Sequence, residues 1–109
     1  MQRWTVEVLN NEVAGEIDAW PLQLRAALTR IIDRVESLGL DRIGEPHVRR
    51  LDGKLWEMRP SGKRTEGRAL YVTATGRRAV IVLAFVKKTK KTPGRIIKLA
   101  HDRARSIGL

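Results

Sequence analysis

With 109 residues, 42% of them hydrophobic and 31% charged, the chain has the composition of one globular domain, residues 1–109, and not of a disordered segment. It contains no cysteine, which excludes disulfides, thiolate metal sites and a cysteine nucleophile. Its 22 Lys and Arg residues exceed its 12 Asp and Glu residues by ten charges, a balance that favours a polyanionic partner.

The positive charge is uneven. Residues 1–46 hold five Lys/Arg and eight Asp/Glu, a net −3, and residues 47–109 hold seventeen and four, a net +13. Positive potential is therefore expected on the C-terminal half. No apolar run approaches the ~18 residues of a membrane span. The start Met1-Gln2-Arg3-Trp4-Thr5 lacks the apolar segment of a signal peptide, so a cytoplasmic protein without a membrane partner is expected.

From Arg3 to Leu9 the residues alternate, with Trp4, Val6 and Val8 on one face, which predicts a strand with one buried side. Asn10 or Asn11 suits the cap of a short helix from about Glu12 to Ala19. Pro21 suits the first turn of a second helix, on which Leu24, Leu28, Ile31, Ile32, Val35 and Leu38 form one apolar stripe. Gly39 stands where a C-cap glycine belongs.

Asp41 to Arg50 is read as a loop and Asp52-Gly53 as a turn. Three strands follow, Lys54–Arg59, Arg68–Thr75 and Arg78–Val86, joined by links short enough for an antiparallel meander. The nearly all-apolar run Ala79–Phe85 predicts a central strand covered on both faces. Thr92-Pro93 reads as a cap followed by a first-turn proline. The last helix then runs to about Ser106, with Ile96, Ile97, Ala100, Ala104 and Ile107 as its apolar stripe. The order β-α-α-β-β-β-α implies an α+β domain with its helices on one side of a small, mainly antiparallel sheet.

Few residues offer chemistry. His47 and His101 have no metal-ligand spacing, and no nucleophile-elbow, phosphate-loop or dinucleotide motif is present. The C-terminal half holds only Asp52, Glu57, Glu66 and Asp102 as carboxylates, too few and too scattered for a metal-dependent nuclease, so no metal and no cofactor are expected. What remains is cations on strands. Alternation places Glu57 and Arg59 on the face opposite Trp56 and Met58; Arg68 opens the next strand, and Lys87-Lys88 end the third. Such cations hold phosphates and stabilise the charge that grows on a scissile phosphate under attack by a 2′-hydroxyl. They serve equally as exposed charges that keep sheet edges from pairing, and spacing does not choose between the two.

The stretches Lys54-Leu55-Trp56-Glu57-Met58-Arg59, Gly67-Arg68-Ala69-Leu70-Tyr71 and Ala84-Phe85-Val86-Lys87-Lys88-Thr89-Lys90-Lys91-Thr92-Pro93 resemble the signature of the phage-derived HigB-like branch of the RelE/ParE toxin superfamily. That signature is an L-W-E-L-R strand, a Y-R-v-l-Y strand and an F-x-K-K-t-x-K-T-P run into the last helix. The resemblance implies the toxin of a type II toxin–antitoxin pair, an mRNA endoribonuclease that works on the ribosome, against the 16S rRNA of the decoding site, without metal. It leaves 2′,3′-cyclic or 3′-phosphate ends.

Carried over by position, the resemblance makes Arg59, Arg68, Lys87 and Lys88 the expected catalytic cations. Lys54, Lys63, Arg64, Phe85, Lys90 and Lys91 are the expected RNA contacts. It also implies a helix-turn-helix antitoxin of HigA-like kind, docked on the acidic N-terminal helices or on the basic site. On this reading Arg68→Ala abolishes growth arrest in a protein that still folds. The chain departs from the signature at Gly67, where an aromatic residue usually precedes the arginine, and in a longer, more basic loop Pro60–Glu66. Relatives use a late tyrosine or histidine, for which His101 and the mid-strand Tyr71 are the candidates, and Phe85 or Trp56 could stack on a base. Two alternatives use the same charge: a ParE-like gyrase poison without nuclease activity, and a non-catalytic nucleic-acid-binding protein of a phage or mobile element.

Overall fold

The computed structural model describes residues 3–109; Met1 and Gln2, with which the N-terminal start begins, lie outside the described residues. Strand β1 (Thr5–Val8) turns Trp4 and Val6 towards the core and leaves Val8 exposed. Asn10 is the cap: its side chain accepts a hydrogen bond from the Val13 N–H at 3.0 Å and starts helix α1 (Asn11–Asp18). Helix α2 (Leu22–Leu38) follows Pro21 and ends at Gly39, whose φ of 88° suits a residue without a β-carbon. Of its predicted stripe, Leu24, Leu28, Ile31 and Val35 are buried, while Leu38 is 54% exposed.

A short 3-10 turn (Leu40–Arg42) leads to strands β2 (Val48–Asp52), β3 (Leu55–Met58), β4 (Ser61–Gly62), β5 (Thr65–Ala74) and β6 (Arg78–Val86), and helix α3 (Gly94–Arg105) closes the chain. The sheet order is β1-β6-β5-β3-β2, with β4 paired to β5. Among the described residues only the β1–β6 pairing is parallel. The α+β class and the mainly antiparallel sheet are as expected, with two strands more than the predicted order. One of them, β2, lies partly in the segment read as a loop. A register shift between Arg50 and Asp52 interrupts its alternation, so its apolar residues, Val48 and Leu51, do not fall two apart. The other, β4, is held by a two-residue turn, Lys63-Arg64, in which Arg64 has φ 60°.

The helices do not share one side of the sheet. Val13 of α1 and Leu24, Leu28, Ile31 and Val35 of α2 pack with Met58, Ala69, Tyr71 and Ile81 on one face. Ala100 and Ala104 of α3 pack with Leu55, Leu70, Val72, Val80 and Val82 on the other. Strand β6 lies between the two layers, which is why Ala79–Ala84 are all buried. Leu83→Ala is accordingly expected to cost about 2–5 kcal/mol in denaturant unfolding; unchanged stability would contradict its 4% exposure.

Beyond Ile81 the strand has no β1 partner, and side chains from both helical layers close that edge. Glu16 of α1 accepts the Ala84 N–H at 3.0 Å, and Arg103 of α3 donates to the Val82 carbonyl at 2.9 Å and to Glu16 at 2.9 and 3.1 Å. Backbone groups that would otherwise be buried unpaired are thereby satisfied. Helix α3 begins after Pro93, which makes no side-chain cap, so the expected Thr92 cap does not form.

Candidate active site

Antiparallel pairing brings three strand ends together. Met58, at the end of β3, lies opposite Ala69, so Arg59 leaves β3 beside Arg68, the fourth residue of β5. Arg68 in turn lies opposite Phe85, and the Lys87 N–H donates to the Glu66 carbonyl at 2.8 Å, so Lys87 leaves β6 beside them. With Arg49 and Arg50 of β2 and Lys90, Lys91 and Thr92 of the β6–α3 loop, these residues line a cleft of about 330 Å³ on the α3 side of the sheet.

Its floor is a buried ion-pair cluster. The Glu57 side chain, 8% exposed, lies 3.7 Å from Arg59 Nε through Oε1 and 3.7 Å from Arg68 Nε through Oε2. Both separations exceed hydrogen-bond length. Among the described residues the buried Glu57 Oε2 and Arg59 Nε have no hydrogen-bond partner. Arg68 is the more enclosed cation, 3% exposed, with Nη1 donating to the Gly67 carbonyl at 2.7 Å and Nη2 3.9 Å from Glu66. Burial, and after it the charge of Arg59, lowers the Arg68 pKa from the usual guanidinium value, against the opposing pull of Glu57 and Glu66. A guanidinium stays protonated under such a shift, so Arg68 is a fixed positive charge. Arg59 is 22% exposed, Lys87 23%, and each has one carboxylate near the surface, Glu45 and Glu66, at 3.9 Å.

Of the expected residues, Arg59, Arg68, Lys87, Lys90 and Lys91 therefore meet in one place. Lys88 is exposed outside the cleft, in a shallow depression with Glu66 and Thr89. Lys54 is exposed in the β2–β3 turn, and Lys63 and Arg64 in the β4–β5 turn; none of the three lines the cleft. Phe85 is half-buried against the α3 layer, whereas Trp56 is 39% exposed on the opposite face. Tyr71 is fully buried, and burial pushes its hydroxyl pKa far up, which fits a core residue. His101 Nε2 lies 2.7 Å from Asp52 Oδ2 and ties α3 to the β2–β3 turn, outside the cleft. Among the described residues no group of three or more His, Asp or Glu side chains is arranged to hold a metal ion.

Three site residues escaped the sequence reading. Arg49 and Arg50 were assigned to a loop. Glu57 was considered only as a metal ligand, although its alternation with Arg59 was the signal that both face the same way. The glycine before Arg68 also has a structural reason. A β-carbon on Gly67 would stand 2.8 Å from Cη2 of the buried Trp20, so that indole fills the space a larger residue would need. Gly67→Ala is expected to cost about 1–3 kcal/mol by overpacking. A melting temperature at or above that of the parent protein would show that Trp20 yields freely.

The model of the family described as Phage derived protein Gp49-like matches residues 15–105, and no curated protein matches the chain. The matched span runs from the middle of α1 to the end of α3 and contains every residue that lines the cleft. The chain belongs to the family of phage-derived Gp49-like proteins.

Proposed function

We propose that the protein is the toxin of a toxin–antitoxin pair and acts as an endoribonuclease on messenger RNA at the ribosome, with the strand-end cleft as its active site. The observation that carries this reading is the convergence of Arg59, Arg68 and Lys87 around the buried carboxylate of Glu57. Membership of the Gp49-like family is compatible with a toxin-like activity, and no helix among the described residues is long and apolar enough to cross a membrane.

The reaction needs a base for the 2′-hydroxyl, charge on the phosphoryl oxygens and a proton for the leaving group. Glu57, whose carboxylate lines the cleft, takes the 2′-hydroxyl proton. The 2′-oxygen then bonds to phosphorus and the bond from phosphorus to the 5′-oxygen breaks, giving a 2′,3′-cyclic phosphate. Lys87 delivers a proton to the departing 5′-oxygen. Arg59 binds the phosphoryl oxygens directly, and Arg68 stabilises the developing charge from the floor and holds Glu57 in place. Lys90 and Lys91 bind flanking phosphates. Lys88, Lys54, Lys63 and Arg64 contribute backbone contacts and long-range attraction from outside the cleft. No step passes through a metal.

The test is primer extension on mRNA from a translation reaction with and without the protein, repeated on naked RNA. Cuts at codon boundaries only while ribosomes translate are the expected result. Growth arrest without cuts in either reaction would overturn the nuclease reading and favour gyrase as the target. Cuts on naked RNA would overturn ribosome dependence alone.

A further inference from the structure

Arg59 borders a second groove. On the α2 side of the same strand end, a groove of about 130 Å³ is lined by Arg30 and Arg34 of α2, by His47, by Arg59 and by Ser61, over an apolar floor that includes Ile31 and Pro60. Among the described residues no carboxylate lines it. Arg30 and Arg34 are four residues apart, hence neighbours on one helix face, and both are exposed. His47 is fixed beside Arg59 because the Arg59 N–H donates to its carbonyl at 2.8 Å. Arg34 Nη1 lies 3.2 Å from His47 Nε2. A guanidinium only donates, so in this contact the ring nitrogen is the acceptor.

Arg30 and Arg34, exposed neighbours on one helix face, repel one another in the free protein, and Arg59 borders the same groove. An anion removes that repulsion. Arg59 lines both the groove and the cleft, so a chain of phosphates held in one continues into the other. We propose that the groove of Arg30, Arg34, His47 and Arg59 is a separate phosphodiester-binding subsite, which holds the RNA strand where it passes from the cleft onto α2. The proposal rests on the RNA reading of the cleft. It also assigns part of α2, an element of the acidic half of the chain, to the nucleic-acid surface.

The experiment compares the parent protein with the double variant Arg30→Ala, Arg34→Ala, in which two exposed helix positions receive a good helix former. Binding is measured over a range of salt concentrations to a fluorescent 2′-O-methyl twelve-nucleotide strand, which has no free 2′-hydroxyl, and to the matching dinucleotide, which fills the cleft alone. For the long strand the expected result is an affinity loss on the order of tenfold. The log–log salt dependence should be shallower by about 1.4, at about 0.7 per lost phosphate contact. The dinucleotide should bind unchanged.

If affinity and salt slope for the long strand do not change while the parent protein cleaves RNA, the subsite is overturned and the nuclease reading stands. If the long strand shows the expected loss but the parent protein cleaves nothing, the subsite is upheld and the nuclease reading falls. A parent protein that binds neither strand overturns both. An equal loss on the dinucleotide overturns a separate subsite. Unchanged RNA binding with weakened binding of a polyglutamate probe overturns the RNA assignment in favour of an acidic protein segment.

Discussion

Replacing Arg68 with alanine is expected to lower the free energy of unfolding by about 3 kcal/mol or more, because it leaves the buried Glu57 carboxylate short of a partner. The side chain is 3% exposed, lies 3.7 Å from Glu57 and donates to the Gly67 carbonyl, so its removal vacates both charge and volume. For a domain of this size the loss corresponds to a melting temperature lower by about 10–20 °C. Arg59, also 3.7 Å from Glu57, limits the damage but does not replace the lost contacts. The sequence-based expectation that Arg68→Ala stays folded while losing toxicity therefore changes, and loss of growth arrest in that variant does not by itself identify a chemical role. Arg68→Lys keeps the charge, loses the planar fork and should recover part of the stability. Thermal unfolding of the two variants beside the parent protein tests this, and an Arg68→Ala protein that melts with the parent would contradict a structural ion pair.

Arg59→Ala should behave in the opposite way, with the fold retained and cleavage slowed by about 10²–10³-fold, the usual effect of removing one donor from a developing oxyanion. Arg59 lines the cleft, is partly exposed, and meets Glu57 and Glu45 only at 3.7 and 3.9 Å. Among the described residues its buried Nε has no hydrogen-bond partner, and both carboxylate separations exceed hydrogen-bond length. The remaining Glu57–Arg68 pair keeps the floor compensated. Arg59→Lys should restore part of the rate, since charge returns without two-point geometry. Cleavage rates in a translating extract, set beside melting curves for the same proteins, separate this from an unfolding effect. Wild-type rates in folded Arg59→Ala would remove Arg59 from the chemistry.

The two arginines look alike in the sequence, each at the end of a predicted strand, and the structure gives them different places. Alternation put Glu57 and Arg59 on one face, which was correct, but it carried no information on depth. Arg68 lies opposite Phe85 in the centre of the sheet, between β3 and β6 and on the side covered by α3, whereas Arg59 has passed the end of β3. Depth depends on what the rest of the chain places above a residue, and α3 begins 26 positions after Arg68. Arg49 and Arg50 were missed for another reason: on an edge strand with a register shift, charged residues read as loop. Lys88, Lys63 and Arg64 passed the sequence filter through charge alone, and charge does not tell a cleft from a turn.

The sequence by itself determined the class of the fold, a cap at Asn10 or Asn11, the end of α2 at Gly39, the buried face of α2 and the central place of β6. Each follows from local chemistry: a side chain that bonds its own backbone, a φ that favours glycine, or an apolar period along one element. Only the tertiary structure decided that α3 covers the face opposite α1 and α2, that Trp20 fills the space above Gly67, and that Glu57 lies between two arginines. Those facts depend on contacts between residues far apart in the chain. A strand with two apolar faces requires two covers, and its period does not say which helix takes which side.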